Sequence, residues 1–208
     1  MIKATIHKKI KTYRGNSQLI VQATFPLQSI TRVYGSSGSG KTTFLKILAG
    51  LITPEKGEIF VKENCWLDTA KKINWKPQQR RVGFVFQDYA LFPNMTVLEH
   101  LRYGTADRPL IERLLQIGRM ESFKQHKPQQ LSGGQQQRLA ILRALALKPE
   151  LLLLDEAFSA LDDDLREALI IELKVILKEF NTTTIIVSHH LQETVGFADC
   201  ALKIEQEN

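Results

Sequence analysis

Gly35-Ser36-Ser37-Gly38-Ser39-Gly40-Lys41-Thr42 spells Gly, four variable residues, then Gly-Lys-Thr. The apolar run Ile30–Tyr34 leads into it, and Thr43–Leu51 leads out with Phe44, Leu45, Ile47, Leu48 and Leu51 at helical spacing. A loop of this composition between a strand and a helix is a phosphate cradle. Its glycines let backbone N–H groups turn inward around an anion, and the helix start adds unpaired N–H groups and a positive dipole end. Lys41 can reach the β and γ phosphates of a nucleotide, and the Thr42 hydroxyl can take one position around Mg²⁺.

The 208 residues suit one compact domain, or one with a small subdomain, and can bury a core without disulfides. Cys65 and Cys200 lie far apart without metal-ligand spacing, which fits a reduced cytosolic protein. No signal-like region opens the chain and no apolar run reaches membrane-spanning length, so any spanning part is expected from another chain. The net charge is +6, but Lys and Arg are scattered, and clusters such as Lys8-Lys9-Ile10-Lys11 read as solvated faces. No aromatic residues interleave with them for base stacking, so nucleic acid is not an expected partner.

Around the loop, the N-terminal region reads as strands. Ile2, Ala4 and Ile6 alternate with polar residues, and Leu19–Phe25 follows a turn at Gly15-Asn16-Ser17. Tyr13 lies between the two and reads equally as a purine-stacking residue or a half-buried tyrosine. Gly57–Lys62 is a short strand, Glu63–Gln79 an irregular polar connection, and Arg81–Phe86 a strand ending at Gln87. A glutamine there can ligate Mg²⁺ or position water through its neutral carbonyl. Asp88–Pro93 is a turn whose Tyr89, Leu91 and Phe92 suit a docking surface or a local core. Thr96–Phe123 is helical, broken at Gly104 and Gly118.

Leu131-Ser132-Gly133-Gly134-Gln135 opens a helix over Gln136–Leu147, with Ser132 as N-cap and two glycines permitting close approach of a ligand. Leu151–Leu154 ends in Asp155-Glu156, the pattern of a buried parallel strand with acids at its carboxyl end. Asp155 can hold Mg²⁺, and Glu156 can deprotonate an attacking water. Ser159-Ala160-Leu161-Asp162 turns into an amphipathic helix with Leu165, Leu169, Leu173, Ile176, Leu177 and Phe180 inward. Thr184–Val187 is a further strand ended by Ser188 and His189, whose imidazole can hydrogen-bond a terminal phosphate. Leu191–Ala198 reads as a short helix and Asp199–Ile204 as a closing strand.

Taken in order, the phosphate loop, Gln87, Leu-Ser-Gly-Gly-Gln at 131–135, Leu-Leu-Leu-Leu-Asp-Glu at 151–156, Ser-Ala-Leu-Asp at 159–162 and Ser-His at 188–189 resemble the nucleotide-binding subunit of an ATP-binding cassette (ABC) transporter. The resemblance covers essentially the whole chain. It implies an α/β fold: a phosphate-loop NTPase core with a mostly parallel sheet, an N-terminal antiparallel β subdomain and a small inserted helical subdomain. Residues 1–208 would be one ATPase domain, with about 88–147 as the helical part. It implies ATP and Mg²⁺ as ligands and a head-to-tail homodimer that closes on ATP. Lys41 and Thr42 of one copy would face Ser132, Gly133 and Gly134 of the other, and Gly35, Ser36, Ser37, Gly38, Ser39, Gly40, Thr43 and Gln135 would join them in binding ATP. Tyr13 would stack on adenine, Asp162 would signal across the interface, and His189 would sense the γ-phosphate. Lys41, Gln87, Glu156 and His189 would carry catalysis, with Thr42, Gln87 and Asp155 at the metal.

Val82-Gly83-Phe84-Val85-Phe86-Gln87-Asp88 with Leu91-Phe92-Pro93 looks like the importer branch, most similar to cassettes for molybdate or related oxyanions. Sulfate, iron and polyamine cassettes share much of this stretch. The expected partners are membrane permease subunits, touched after Gln87, and indirectly a solute-binding protein, at the cytoplasmic face of the membrane. Ala157 stands where importer cassettes usually carry Pro, and Pro26–Ser29 lacks the Gly-Glu often found there. The chain ends soon after the His189 strand, so feedback inhibition through an appended domain is not expected. The competing functions are a soluble cassette acting on nucleic acid or the ribosome, and a binding-only cassette. The first would need a long coiled-coil insertion or a second cassette, and the second conflicts with Glu156 and His189.

Overall fold

The strand before the glycine loop, Ile30–Tyr34, lies inside a parallel sheet because both of its faces are covered by apolar side chains. The computed structural model describes residues 1–12, 15–188 and 194–205, so Tyr13, His189 and His190 lie outside the described residues. The strands are β1 (Ile2–Thr12), β2 (Gly15–Phe25), β3 (Ile30–Tyr34), β4 (Lys56–Val61), β5 (Asn64–Asp68), β6 (Ile73–Asn74), β7 (Val82–Val85), β8 (Leu151–Asp155), β9 (Thr183–Val187) and β10 (Cys200–Lys203). The α-helices are α1 (Lys41–Leu48), α2 (Val97–Gly104), α3 (Arg108–Ile117), α4 (Gly133–Ala146) and α5 (Asp163–Glu179). The expected α/β class holds. An antiparallel sheet runs β2-β1-β4-β5-β6, and a parallel sheet runs β10-β3-β9-β8-β7.

Two cores follow from this layering. Val33, Leu151, Leu153, Ile185 and Val187 face Phe44, Leu45 and the β1–β2 side chains. Leu152, Leu154 and Ile186 face the other way, toward α4, α5 and the helices of 97–117. The alternation along β8 and β9 thus fills both sides of one sheet.

Several local expectations change. Gly15, Asn16 and Ser17 belong to β2 rather than to a turn, since pairing with β1 continues to Thr12↔Gly15. Glu63–Gln79 is not irregular. It contains β5 and β6, joined to β4 by a two-residue connection at Lys62-Glu63 in which Lys62 takes φ 57. A turn made of Lys and Glu carries none of the usual Gly or Asn signal, so the hairpin is hidden in the sequence. The segment expected as a helix over Leu191–Ala198 is, in its described part, a turn closed by Phe197 and Ala198 N–H donating to the Thr194 carbonyl. Pro128–Gln130, just ahead of α4, form a 3₁₀ turn.

Arg80 is the largest side chain buried to near completion, at 1% exposure. Its guanidinium donates to the carbonyls of Ile47 and Leu48, the last turn of α1, at 2.9 Å each. It also donates to Trp75 O at 3.0 Å and to Asn74 Oδ1 at 2.9 Å, and lies over the Trp66 ring. Burial lowers its pKa to about 10, so it remains a cation. The negative end of α1 supplies the compensating field. Arg80→Leu is expected to cost about 2–4 kcal/mol in urea unfolding, because orphaned carbonyls stay buried. Arg80→Lys should recover only part of this, since one ammonium cannot span the same fork of acceptors. A change below about 0.5 kcal/mol for the leucine variant would contradict the assignment.

Candidate active site at the carboxyl edge of the parallel sheet

Register brings the site together. Val33 of β3, Val187 of β9 and Asp155 of β8 lie level at the carboxyl edge, and Val85 of β7 sits one step below beside Leu154. The residues that follow these strands therefore emerge at one edge, where ligands bind in parallel sheets. Gly40 caps α1 at φ 90, a conformation an L side chain would strain. α1 begins at Lys41, two residues before the expected start, so Lys41 and Thr42 are its first helical residues.

Lys41 is 5% exposed, and its ammonium donates to Gly35 O at 3.1 Å and Ser36 O at 2.9 Å. Burial lowers its pKa, and the carboxylates of Glu156 and Asp155 oppose that shift. Asp155 is buried, and burial raises its pKa, with the Glu156 charge adding to the rise. A hydrogen bond from Thr42 and the charges of Lys46 and Lys41 pull it back down. Asp155 Oδ1 is buried without a hydrogen-bond partner, as is the Ser39 hydroxyl inside the loop. Mg²⁺ takes oxygen ligands. A buried carboxylate with an unpaired oxygen, beside the Thr42 hydroxyl, fits such an ion. Among the described residues no cluster of His, Cys, Asp and Glu offers an all-protein metal site.

Glu156 follows β8 at φ 54, a left-handed conformation that costs a non-glycine residue about 1–2 kcal/mol. Its N–H donates to Val187 O at 3.0 Å, and its carbonyl accepts from the Ser159 hydroxyl at 3.0 Å and from Gln137 Nε2 at 3.2 Å. Gln87 Nε2 donates to Glu156 Oε2 at 3.1 Å. The two side chains expected to handle water thus meet, because β7 and β8 are adjacent.

The segment after Gln87 is fixed from α4. Tyr89 and Ala90 both have positive φ, and the Arg143 guanidinium accepts this strain by donating to Ala90 O at 2.6 Å and Tyr89 O at 3.1 Å. Ser132 is the N-cap of α4 as expected, in a reciprocal capping box with Gln135. A Cβ on Gly133 would meet open space, whereas one on Gly134 would lie 3.1 Å from Ala160 O. The smallness of Gly134 is therefore used by the chain itself, and Gly133 alone leaves room for a ligand. Asp162 caps α5 by accepting from Leu165 N at 2.9 Å. Tyr13 and His189 lie outside the described residues, and Ser132 through Gln135 are not joined to the Lys41 loop within one chain by any hydrogen bond among the described residues.

Gln137 and Arg143 were absent from the sequence-based candidates. Gln137 hides in a run of three glutamines, but it occupies the buried stripe with Ile141 and Leu145, and a polar residue at core spacing is the signal that reveals it.

The sequence profile of the ABC transporter family matches residues 20–159. The chain is 40% identical over 195 residues to the sulfate/thiosulfate import ATP-binding protein CysA of Mesostigma viride, covering 89% of this chain and 54% of that protein. It is 38% identical over 208 residues to the molybdenum import ATP-binding protein ModC of Shewanella oneidensis, covering 99% and 56%. The chain thus spans about half the length of the curated relatives it matches. Among solved structures, a dimeric post-hydrolysis state of the ATP-binding cassette MJ0796 bound to ADP and Pi superposes with TM-score 0.82 at 29% identity, covering 100% of this chain and 98% of that one. A dimeric MJ0796 structure, a bacterial ABC transporter cassette, gives 0.80 at 31% identity over the same shares. With its profile match, its relatives and its superposition all agreeing, the chain belongs to the ABC transporter family.

Proposed function

We propose that this chain is the ATP-hydrolysing subunit of an ABC importer, closing as a homodimer on two ATP molecules. The observation that carries the reading is the convergence of Lys41, the Thr42–Asp155 pair and the Gln87–Glu156 pair at one sheet edge. The triphosphate lies in the loop 35–42, and Lys41 exchanges its two carbonyl partners for phosphate oxygens. Thr42 and Asp155 would hold Mg²⁺, which when bound neutralises charge on the phosphates. Glu156 accepts a proton from water as the water oxygen bonds to the γ phosphorus. The bond from that phosphorus to the bridging oxygen breaks, and its electrons leave with ADP. Gln87 orients the Glu156 carboxylate for this step.

The exposed N-terminus of α4 at Ser132 and Gly133 supports a second copy completing the site, since unpaired helix N–H groups suit a phosphate held by another chain. Asp162, Tyr13 and His189 keep the roles the family resemblance implies. Residues 88–147 act as the helical unit, and a groove of about 300 Å³ at Phe84, Phe86, Phe92, Tyr103, Arg143 and Leu147 receives a membrane permease. No described helix is long and apolar enough to cross a membrane, so the permease supplies that part. The importer relatives favour an oxyanion such as molybdate or sulfate as solute, with the subunit working at the cytoplasmic face.

Glu156→Gln is expected to keep ATP affinity, lose hydrolysis by about 10²–10⁴-fold and accumulate an ATP-held dimer in sedimentation. Parent-level turnover in that variant would remove Glu156 as the base. Ser132→Arg should bind ATP as a monomer without dimerising, and a normal dimer would refute the cross-subunit contact. Asp155 is predicted to trade stability for function. Its folded pKa lies above its unfolded value, so its favourable contribution is present below the usual 3.8 and is lost as pH rises through the folded value. Asp155→Asn should therefore raise the melting temperature of the nucleotide-free protein at neutral pH. The gain should shrink toward pH 3.8, while Mg²⁺-dependent hydrolysis disappears. Calorimetry showing a lower melting temperature for that variant at neutral pH would overturn this.

A further inference from the structure

We infer that Gln137 is the positioning residue for the base: its amide holds the backbone of Glu156 in the conformation that aims the carboxylate. This rests on the hydrolytic reading above. Gln137 is fully buried in α4, and both ends of its amide are committed. Nε2 donates to Glu156 O at 3.2 Å, and Oε1 accepts from Ala160 N at 3.2 Å. The orientation is unambiguous, because the Ala160 N–H can only donate and the Glu156 carbonyl can only accept. One side chain thus clamps both ends of the turn 156–160.

The clamp has a specific object. Glu156 sits at φ 54, and left-handed residues other than glycine persist only where the surroundings over-determine them. On one side β9 takes the Glu156 N–H through Val187 O. On the other, Ser159 and Gln137 share its carbonyl. Ser159 moves with the turn it closes, whereas Gln137 belongs to a different element and fixes the turn against something external. That element is the helix whose N-cap is Ser132, five residues earlier and about 7 Å along the axis. A displacement of the Ser132 end of α4 therefore moves the Glu156 carbonyl. The carboxylate itself is met by Gln87, whose following turn is pinned by Arg143 of the same helix. One contact to the Glu156 carbonyl and the turn beside its Gln87 contact are thus both referred to α4.

The test compares Gln137→Met and Gln137→Glu with the parent and Glu156→Gln, reading equilibrium ATP affinity, KM, kcat and melting temperature. Gln137→Met keeps the volume and loses both hydrogen bonds. Its kcat is expected to fall about 10- to 100-fold with KM and ATP affinity unchanged, as misplacement of a reacting group does. Gln137→Glu keeps the acceptor for Ala160 N and places a carboxylate oxygen against the Glu156 carbonyl. A buried carboxyl has a raised pKa, and when protonated it again donates. The ratio of its kcat to the parent's should therefore rise as pH is lowered from about 8 to about 6. Should Gln137→Met not fold, that pH-dependent ratio decides. A flat ratio, parent-level kcat in Gln137→Met, or a loss of ATP affinity matching the loss of turnover would overturn the inference. If the parent hydrolyses ATP and Glu156→Gln does not, any of these outcomes removes the Gln137 inference alone. If the parent does not hydrolyse ATP, the hydrolytic reading fails and the inference falls with it.

Discussion

An ammonium and a carboxylate removed from water at the end of a sheet constrain everything around them. Lys41 and Asp155 are both nearly inaccessible, and burial shifts each toward its neutral form. Among the described residues neither has a close ion pair. Lys41 leans on loop carbonyls, and Asp155 leans on Thr42 with one oxygen unpaired. Such groups are costly unless a partner satisfies them. The surrounding structure keeps that cost in place: β8 and β9 are buried along their whole length, and α1 cannot tilt without disturbing Phe44 and Leu45 in the core. A polyanion carrying a hard cation would satisfy both groups at once, so the features that make these residues poor as folding elements would make them good as binding elements.

The second constraint is geometric and runs through α4. Its first residues present an open N-terminus, its fifth residue grips the turn after β8, and its eleventh grips the turn after Gln87. The two turns hold left-handed residues, Glu156 in one and Tyr89 and Ala90 in the other. Strain of this kind is local, but the restraint is not, because a buried helix transmits it from one end of the site to the other. Ala157, 1% exposed, sits between these anchors, where the importer resemblance implies proline. Proline would restrict its own φ and bias Glu156 toward extended geometry. Here hydrogen bonds from Gln137 and Ser159 hold Glu156 left-handed.

What could be read from the chain alone follows the reach of each signal. The phosphate loop, the capping serine and the leucine strand were legible because each is set by its own residues: glycines, a hydroxyl acceptor, a run with no polar face. The parallel sheet was legible as a class, since α1 and α5 alternate with apolar strands. The β5–β6 region was not, because its hairpin turns on Lys62 and Glu63, and its Trp66–Trp75 stacking joins residues with no shared periodicity. Of the site, Asp155, Glu156, Gln87 and Lys41 could be nominated from their places at strand and helix ends. Their contacts depend on strand order, which places β7 beside β8 and β9 between β3 and β8. Gln137 was missed because its partners are backbone atoms 19 and 23 residues away, and backbone atoms leave no trace in composition.

The same reasoning explains why an unpaired arginine can sit in the middle of this fold. α1 has eight residues, about 12 Å of helix, with the phosphate loop at one end and Arg80 at the other. Its carbonyl end faces a buried cation that no carboxylate among the described residues touches, and its N–H end faces the site of a proposed anion. A short helix has little stability of its own. Arg80 fixes its negative end, and its positive end is where Lys41 and Thr42 begin. The arginine is therefore a folding residue whose electrostatic complement is the carbonyl end of α1. It thereby fixes the short helix whose other end begins at Lys41 and Thr42.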